Sequence, residues 1–346
     1  SILPHVGIIG GSYWYYAFQY RAEVEPETNR KVTNTDSVYT MEQYLKTLKR
    51  NQTVYKYACD EAEVDNDYGT YVVPGLKSTR TLKVKGDGEA EVCTSMTPQG
   101  LAFTEDYILV SAYCKTKAHD SVIYVIDKES RRFVKEIVLN TKAHVGGMAY
   151  DTMNQILWVT GQGSTWAQAN AITLSHLENY SFDDGYHPIE FDMSYNLYKI
   201  KRASFMTYHD GALFVGFFTQ DNASVIEKYL INADGTLYEK EDMNLKRTVG
   251  VTEPVAYAVS MQVISGKVQG MAFYNNKILL TRSCHRRYRS SPIPDMESCQ
   301  HPKLIRRSSF RRGWNRSIRT VAAFMHFSSR GLMPTGCHPL TELTVL

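Results

Sequence analysis

The 346-residue chain is notable first for what it lacks. It has six cysteines, and no two stand in a CxxC pair or at a zinc-finger spacing from histidine. His176, His187 and His209 are dispersed, without the HxH or HxxxH spacing that would place two imidazoles on one metal. There is no GxSxG nucleophile elbow and no phosphate-cradling P-loop. The early glycines read HVGIIGG from His5, which is not the GxGxxG of a dinucleotide site. No apolar run is long enough to span a bilayer as a helix. These absences remove the common nucleotide-dependent and serine-hydrolase chemistries and leave no ready catalytic constellation.

What is present is tyrosine, strand-like alternation and an uneven charge. Tyrosine numbers 24, and its combination of apolar area with a hydroxyl suits strands and binding surfaces. The formal net charge of +3 conceals two regions of opposite sign. Through Thr281 there are 27 basic and 33 acidic residues; from Arg282 onward there are 12 and 3. At the same point lysine gives way to arginine, tyrosine nearly vanishes, and text such as RRSSFRRGWNRSIR keeps neither helical nor strand period. Residues 282–346 are therefore expected to be a basic tail that is off-frame or disordered. Codons permitted for the segment from Phe327 can also be read in another frame as strand-and-turn text. If the tail is genuine, its arginines would suit nucleic acid or anionic lipid; otherwise no nucleic-acid partner is expected.

Residues 1–69 read as an N-terminal extension. The stretch ILPHVGIIGGSYWYYAF is apolar and aromatic. It suits the remnant of a signal or membrane anchor, which implies an extracellular or cell-surface protein, and it also suits a buried first strand. Thr40 and Gln43 form a capping box, and Met41, Tyr44, Leu45 and Leu48 share one face, so a short helix is expected over Thr40–Arg50. The acidic DEAEVDNDYG that follows misses the EF-hand oxygen spacing and reads as a solvated loop. Cys93 and Cys114 flank one pair of expected strands; they are read as buried free thiols that could bridge in an oxidising compartment.

Residues 70–281 repeat one shape four times, as PQGLAFTEDYILVSAY from Pro98, VGGMAYDTMNQILWVTG from Val145, KRASFMTYHDGALFVGF from Lys201 and VQGMAFYNNKILLTRS from Val268. Each starts on small residues, passes an apolar–small–aromatic triplet and a polar turn, and ends in an apolar strand. In this alignment Phe103, Tyr150, Phe205 and Phe273 correspond, as do Leu109, Trp158, Phe214 and Leu279. Further strand–turn–strand text follows the first unit (SVIYVIDKESRRFVKEIVL) and the third (SVIEKYLINADGTLYEKE). Repeats of this length, each worth about four strands, cannot bury both faces of a lone sheet. The expected fold is an all-β propeller of five or six blades, possible incompleteness at the last included, with a short N-terminal helix and an irregular basic C-terminal tail. A strand near Tyr71–Val73 would pair into the last blade to close the ring.

GLAF, GMAY and GMAF before a turn, with YVID two strands later, resemble the YVTN/NHL and SMP-30-like group of bacterial propellers, over roughly Tyr71 to Thr281. The resemblance implies architecture more than activity. Loops converge on the rim of such a ring's central channel, so the residues just before each inner strand are the expected ligand contacts: Gln99, His144, Lys201, Arg202 and Gln269. Their mixed, mostly positive character would suit an anionic or sugar-like ligand. Trp14 and Trp166 could stack on a sugar ring, and each also suits core packing. The expected function is a non-enzymatic module that binds a small molecule, glycan or protein without a cofactor. The alternative is a metal-dependent propeller hydrolase of lactonase or esterase type, with a divalent cation such as Ca2+ in the channel. Glu105, Asp106 and Asn154 could be recruited as its ligands, although they fall where turns are expected.

Overall fold

The computed structural model describes residues 78–86, 88–130, 132–221, 223–239, 253–274, 277–283 and 341–345. The Thr40–Arg50 helix, the acidic loop, Trp14 and the proposed Tyr71–Val73 strand lie outside these residues, as does most of the basic tail. The tail's described part is the end of one strand and a short last strand, Thr341–Val345.

Strands account for nearly all of the regular structure. They are β1 (Thr79–Leu82), β2 (Ala90–Cys93), β3 (Met96–Phe103), β4 (Tyr107–Cys114), β5 (Val122–Asp127) and β6 (Phe133–Val138). Then come β7 (Met148–Asp151), β8 (Ile156–Gln162), β9 (Ala167–Thr173), the helix α1 (Leu174–Asn179) and β10 (Met193–Leu197). The rest are β11 (Phe205–His209), β12 (Ala212–Gly216), β13 (Ala223–Leu230), β14 (Val255–Ala256), β15 (Ser260–Ser265), β16 (Val268–Tyr274), β17 (Lys277–Ser283) and β18 (Thr341–Val345). The short helix was not expected from the sequence; Thr173 caps it by accepting a hydrogen bond from the His176 N–H.

The strands form successive antiparallel sheets. β3-β4-β5-β6 is blade 1; β7-β8-β9-β10 is blade 2, with β14 added in parallel to its outer strand; β11-β12-β13-β15 is blade 3; β16-β17-β18 is blade 4. The innermost strands β3, β7, β11 and β16 adjoin one another in chain order, which makes the arrangement a β-propeller. The pair β1–β2 stands on the far side of blade 1, beside β6.

Blades 1 to 3 bury both faces, and side-chain alternation decides which neighbour each face meets. In blade 1, Leu109, Ile123, Val125 and Ile137 pack on Met148, Leu157 and Val159 of blade 2. The intervening Ile108, Val110, Tyr124 and Ile126 turn the other way, onto Leu82, Cys93 and Met96 around the β1–β2 pair. Trp158, Ala169 and Tyr195 of blade 2 meet Met206, Leu213 and Tyr229 of blade 3. Phe205, Ile226 and Ile264 of blade 3 meet Val268 and Leu280 of blade 4. A single sheet of this size would leave half of these side chains in water; stacking blades removes them.

Two details differ from the sequence expectation. The segment after the Asn232–Gly235 turn does not supply the fourth strand of blade 3. Its described residues, 236–239, make isolated bridges, Leu237 with Ile231 and Glu239 with Ala256. The fourth place is taken by β15, which pairs with β13 at six successive positions. The alignment of blade 3 also shifts by three residues along its inner strand. Thr207 lies opposite Phe214, as Ala102 lies opposite Leu109 and Ala149 opposite Trp158. The counterpart of Phe103 and Tyr150 is therefore Tyr208, not Phe205. The cause is the tight turn at Asp210–Gly211, where both residues take positive φ and only two residues join the strands.

Candidate functional site

The first two strands of each blade explain the space at the axis. A small residue on the inner strand faces a large one on the second: Ala102 opposite Leu109, Ala149 opposite Trp158 and Thr207 opposite Phe214; Ala272 keeps the same register with position 279. Blades converge toward the axis and diverge away from it, so small side chains fit inside and large ones fill the wedge outside. The same crowding acts on the inner-strand glycines. A Cβ on Gly147 would stand 2.9 Å from the Met206 Cβ and 2.7 Å from the Thr160 Cγ2.

Where the inner strands meet they border a partly open cavity of about 170 Å3. β3 contributes Leu101, Ala102 and Phe103; β7 contributes Met148, Ala149 and Tyr150; β11 contributes Phe205 to Tyr208; β16 contributes Gly270, Met271 and Ala272. The wall is mostly apolar. It holds no carboxylate and no histidine among the described residues, and its side-chain polar groups are the hydroxyls of Tyr150, Thr207, Tyr208 and Thr281. Thr281 is buried, and its Oγ1 has no hydrogen-bond partner among the described residues. A buried hydroxyl left so costs free energy of the order of 1–3 kcal/mol unless a water or ligand meets it. The inner strands are also sheet edges, with backbone N–H and C=O groups directed away from their own blade.

The five residues expected at the rim flank this cavity in the chain rather than forming its wall. Gln99 is half-buried and precedes Gly100, whose N–H donates to the Ser111 Oγ at 2.9 Å. Ser111 in turn donates to the Val145 carbonyl at 2.6 Å, tying blade 1 to the entry of blade 2. His144 is two residues before Gly146 and its ring lies 4.4 Å from that of Tyr113. His144 keeps contact with solvent, yet the surrounding protein and, secondarily, the Lys117 charge both oppose its protonation. Both push its pKa down, which leaves the ring neutral at pH 7. Lys201 and Arg202 are exposed, ahead of Ser204, whose carbonyl lies against Gly146. Gln269 is half-buried beside the cavity residue Gly270. The strand entries of the first three blades are thus neighbours.

The other residues singled out from sequence fall into structural roles. Asn154 donates to Asp151 within the β7–β8 turn at 2.7 Å, and the Lys128 ammonium reaches the backbone carbonyls of Thr104 and Glu105 in the β3–β4 turn. Asp106 belongs to that same turn, and its carbonyl accepts from the Lys128 N–H. Trp166 is nearly buried and packs edge-on against Tyr198, with ring centroids 5.3 Å apart. His176 pairs with Asp192 at 3.0 Å, and His209 stacks on Phe273 at 4.0 Å.

No protein-family model matches the chain, and no curated protein matches it. Solved structures give remote likenesses. Hydrazine synthase of Kuenenia stuttgartiensis shares 14% identity at a TM-score of 0.37, over 66% of this chain and 56% of that one. Glutaminyl cyclase of Myxococcus xanthus shares 11% at 0.33, over 56% of this chain and 70% of that one. The WD40 domain of Toxoplasma gondii coronin shares 8% at 0.30, over 56% and 42%. The chain thus spans little more than half the length of the hydrazine synthase chain. Similarity at this level bears on nothing beyond a shared architecture, and no activity transfers with it.

Proposed function

We propose that the protein is a non-catalytic propeller that binds a small ligand, about one ring in size and carrying a hydrogen-bonding group, in the cavity at its axis. The observation that carries this reading is the unpaired Thr281 hydroxyl in the wall of an otherwise apolar cavity. Aliphatic cavities of about 150 Å3 hold benzene, so a space of about 170 Å3 suits one ring. Apolar burial would supply most of the affinity, and the Thr281 Oγ1 with the strand-edge backbone groups would fix orientation. Lys201 and Arg202 beside the strand entries would draw a ligand with negative character toward the mouth. Within the propellers we place the chain with the YVTN/NHL and SMP-30-like group, on its GLAF, GMAY and GMAF motifs.

The test is a thermal-shift and calorimetric comparison of phenol, indole, benzoate and a methyl glucoside against the full chain. Saturable binding of a one-ring compound, weakened by Thr281→Val, supports the reading. Absence of binding by every compound at millimolar concentration, or binding indifferent to Thr281→Val, would overturn it.

A further inference from the structure

Away from the axis, between the β1–β2 pair and blade 1, three ligand-bearing side chains from residues 93–119 meet. Cys93 ends β2, Cys114 ends β4, and His119 lies in the connection to β5. Their sulfur and nitrogen atoms all lie within 4.8 Å of one another. The Cys114 Sγ is 3.4 Å from the His119 Nδ1. Both sulfurs are fully buried, and the His119 side chain is 12% exposed. On its other side the imidazole Nε2 stands 2.9 Å from the Glu91 carboxylate.

We propose that Cys93, Cys114 and His119 bind a structural zinc ion, with Glu91 as the positioning residue for the histidine. In a tetrahedral site with Zn–S of about 2.3 Å and Zn–N of about 2.0 Å, ligand atoms sit some 3.5–3.8 Å apart. The 3.4 Å between Cys114 and His119 is close to that edge. Glu91 accepts the Nε2–H, which leaves the Nδ1 lone pair directed at the two sulfurs; a carboxylate behind a ligating histidine is the usual outer-shell device. Two thiolates cancel the charge of a divalent ion, so the assembled site is neutral and compatible with burial. Thiolate ligands select zinc over calcium or magnesium. The fourth position falls to a water or to one of the hydroxyls already at the Cys114 sulfur, Ser95 at 3.5 Å or Thr116 at 3.0 Å.

The ion would join elements that share few backbone bonds. β1 and β2 pair backbone to backbone with each other and not with a strand of blade 1. Side chains of β1 reach that blade, Thr79 to Tyr124 and Arg80 to Glu136, and the isolated bridge from Lys83 to His119 adds a backbone tie; zinc would lock the same junction from its β2 side.

The experiment uses the full chain, purified without chelator and analysed for metal. The expected result is about one zinc per chain, exchangeable for Co2+ with the visible absorption of a tetrahedral thiolate site. Cys93→Ala with Cys114→Ala is expected to abolish both signals. Glu91→Gln is expected to weaken zinc binding by about 10-fold or more, while leaving the melting temperature of the zinc-free protein unchanged. Should the double cysteine variant fail to fold, chelation of the unsubstituted protein replaces it: its melting temperature must fall with the chelator and recover with added Zn2+. A Cys93–Cys114 disulfide in peptide maps of the native protein overturns the proposal. So do freely alkylated thiols with no bound metal, or zinc that persists without the two cysteines.

Discussion

Phe205 lies directly across from Gly216, and its ring occupies the place where a side chain on Gly216 would go: a Cβ there would stand 2.2 Å from the Phe205 Cζ. Blades 1, 2 and 4 fill the same position in reverse. There a glycine on the inner strand faces a hydroxyl on the second: Gly100 with Ser111, Gly147 with Thr160, Gly270 with Thr281. Blade 3 has exchanged a small inner residue and a larger partner for a large inner residue and no partner. Gly216→Ala should therefore cost about 1–3 kcal/mol in urea unfolding. Combining it with Phe205→Leu should cost less than the two changes separately, because the second makes room for the first. Strict additivity would show that the two sites do not interact.

Ser111 should be more sensitive than an ordinary core hydroxyl. It accepts from the Gly100 N–H and donates to the Val145 carbonyl, both buried. Ser111→Ala leaves two backbone groups unsatisfied and should cost about 1–3 kcal/mol for the pair at the least. Hydrogen exchange at Gly100 should accelerate as well, since its acceptor has gone. A variant as stable as the parent would mean that water replaces the hydroxyl.

Thr281→Val carries the opposite sign for stability. It removes a buried hydroxyl that has no partner among the described residues and keeps the shape of the side chain. The ligand-free protein should be unchanged or more stable by up to about 1 kcal/mol, while affinity for a hydrogen-bonding ring should drop by about 5- to 10-fold. A loss of stability in the ligand-free protein would mean that the hydroxyl already has a partner.

Arg80 and Glu136 predict a pH-dependent defect. Arg80 reaches Glu136 at 3.2 Å and Asp183 at 2.7 Å, between β1 and the outer part of blade 1. Burial lifts the Glu136 carboxyl above its ordinary value, and Arg80 only partly opposes this. A raised folded-state pKa means that the folded chain holds the proton more tightly. Glu136 thus favours folding most in acid, and that contribution is lost as pH rises from about 4.3 through the raised value. Arg80→Met should cost about 3–5 kcal/mol at neutral pH, where it strands a buried carboxylate, and much less near pH 4. Glu136→Gln should gain on the parent as pH rises across that window. Denaturant unfolding at pH 4 and pH 7 checks both; equal Arg80→Met penalties at the two values would count against the assignment.

The repeat was legible because its signal is local: small residue, aromatic, turn, apolar strand. The pairings Ala102 with Leu109 and Ala149 with Trp158 could be read directly from the aligned text. The inner strand of blade 3 could not, because Phe205 imitates the aromatic of the other units while the true counterpart, Tyr208, is fixed only by where the Asp210–Gly211 turn closes the hairpin. The place of β15 was hidden for a similar reason. Sequence order puts residues 236–239 after β13, and pairing energy chose a later segment. Around the axis, the positions preceding each strand were visible as a pattern, whereas the wall depends on four segments meeting in space. The cysteine–histidine cluster left no spacing signal at all. Cys93, Cys114 and His119 come from two strand ends and a loop, joined by a fold that brings β2 against blade 1.

The turns at the far end of the inner strands differ in length without disturbing the walls. Tyr150 pairs with Leu157, whereas Phe103 pairs with Ile108 and Tyr208 with Leu213, so blade 2 carries two additional residues there. Asp151 holds that longer turn by accepting from the Met153 and Asn154 N–H groups. The turn end of the inner strands thus differs between blades while the pairing of the wall residues Ala102, Ala149 and Thr207 is kept. A fluorophore or a grafted epitope placed at Met153, which is 78% exposed, should report on the folded ring without altering what enters it.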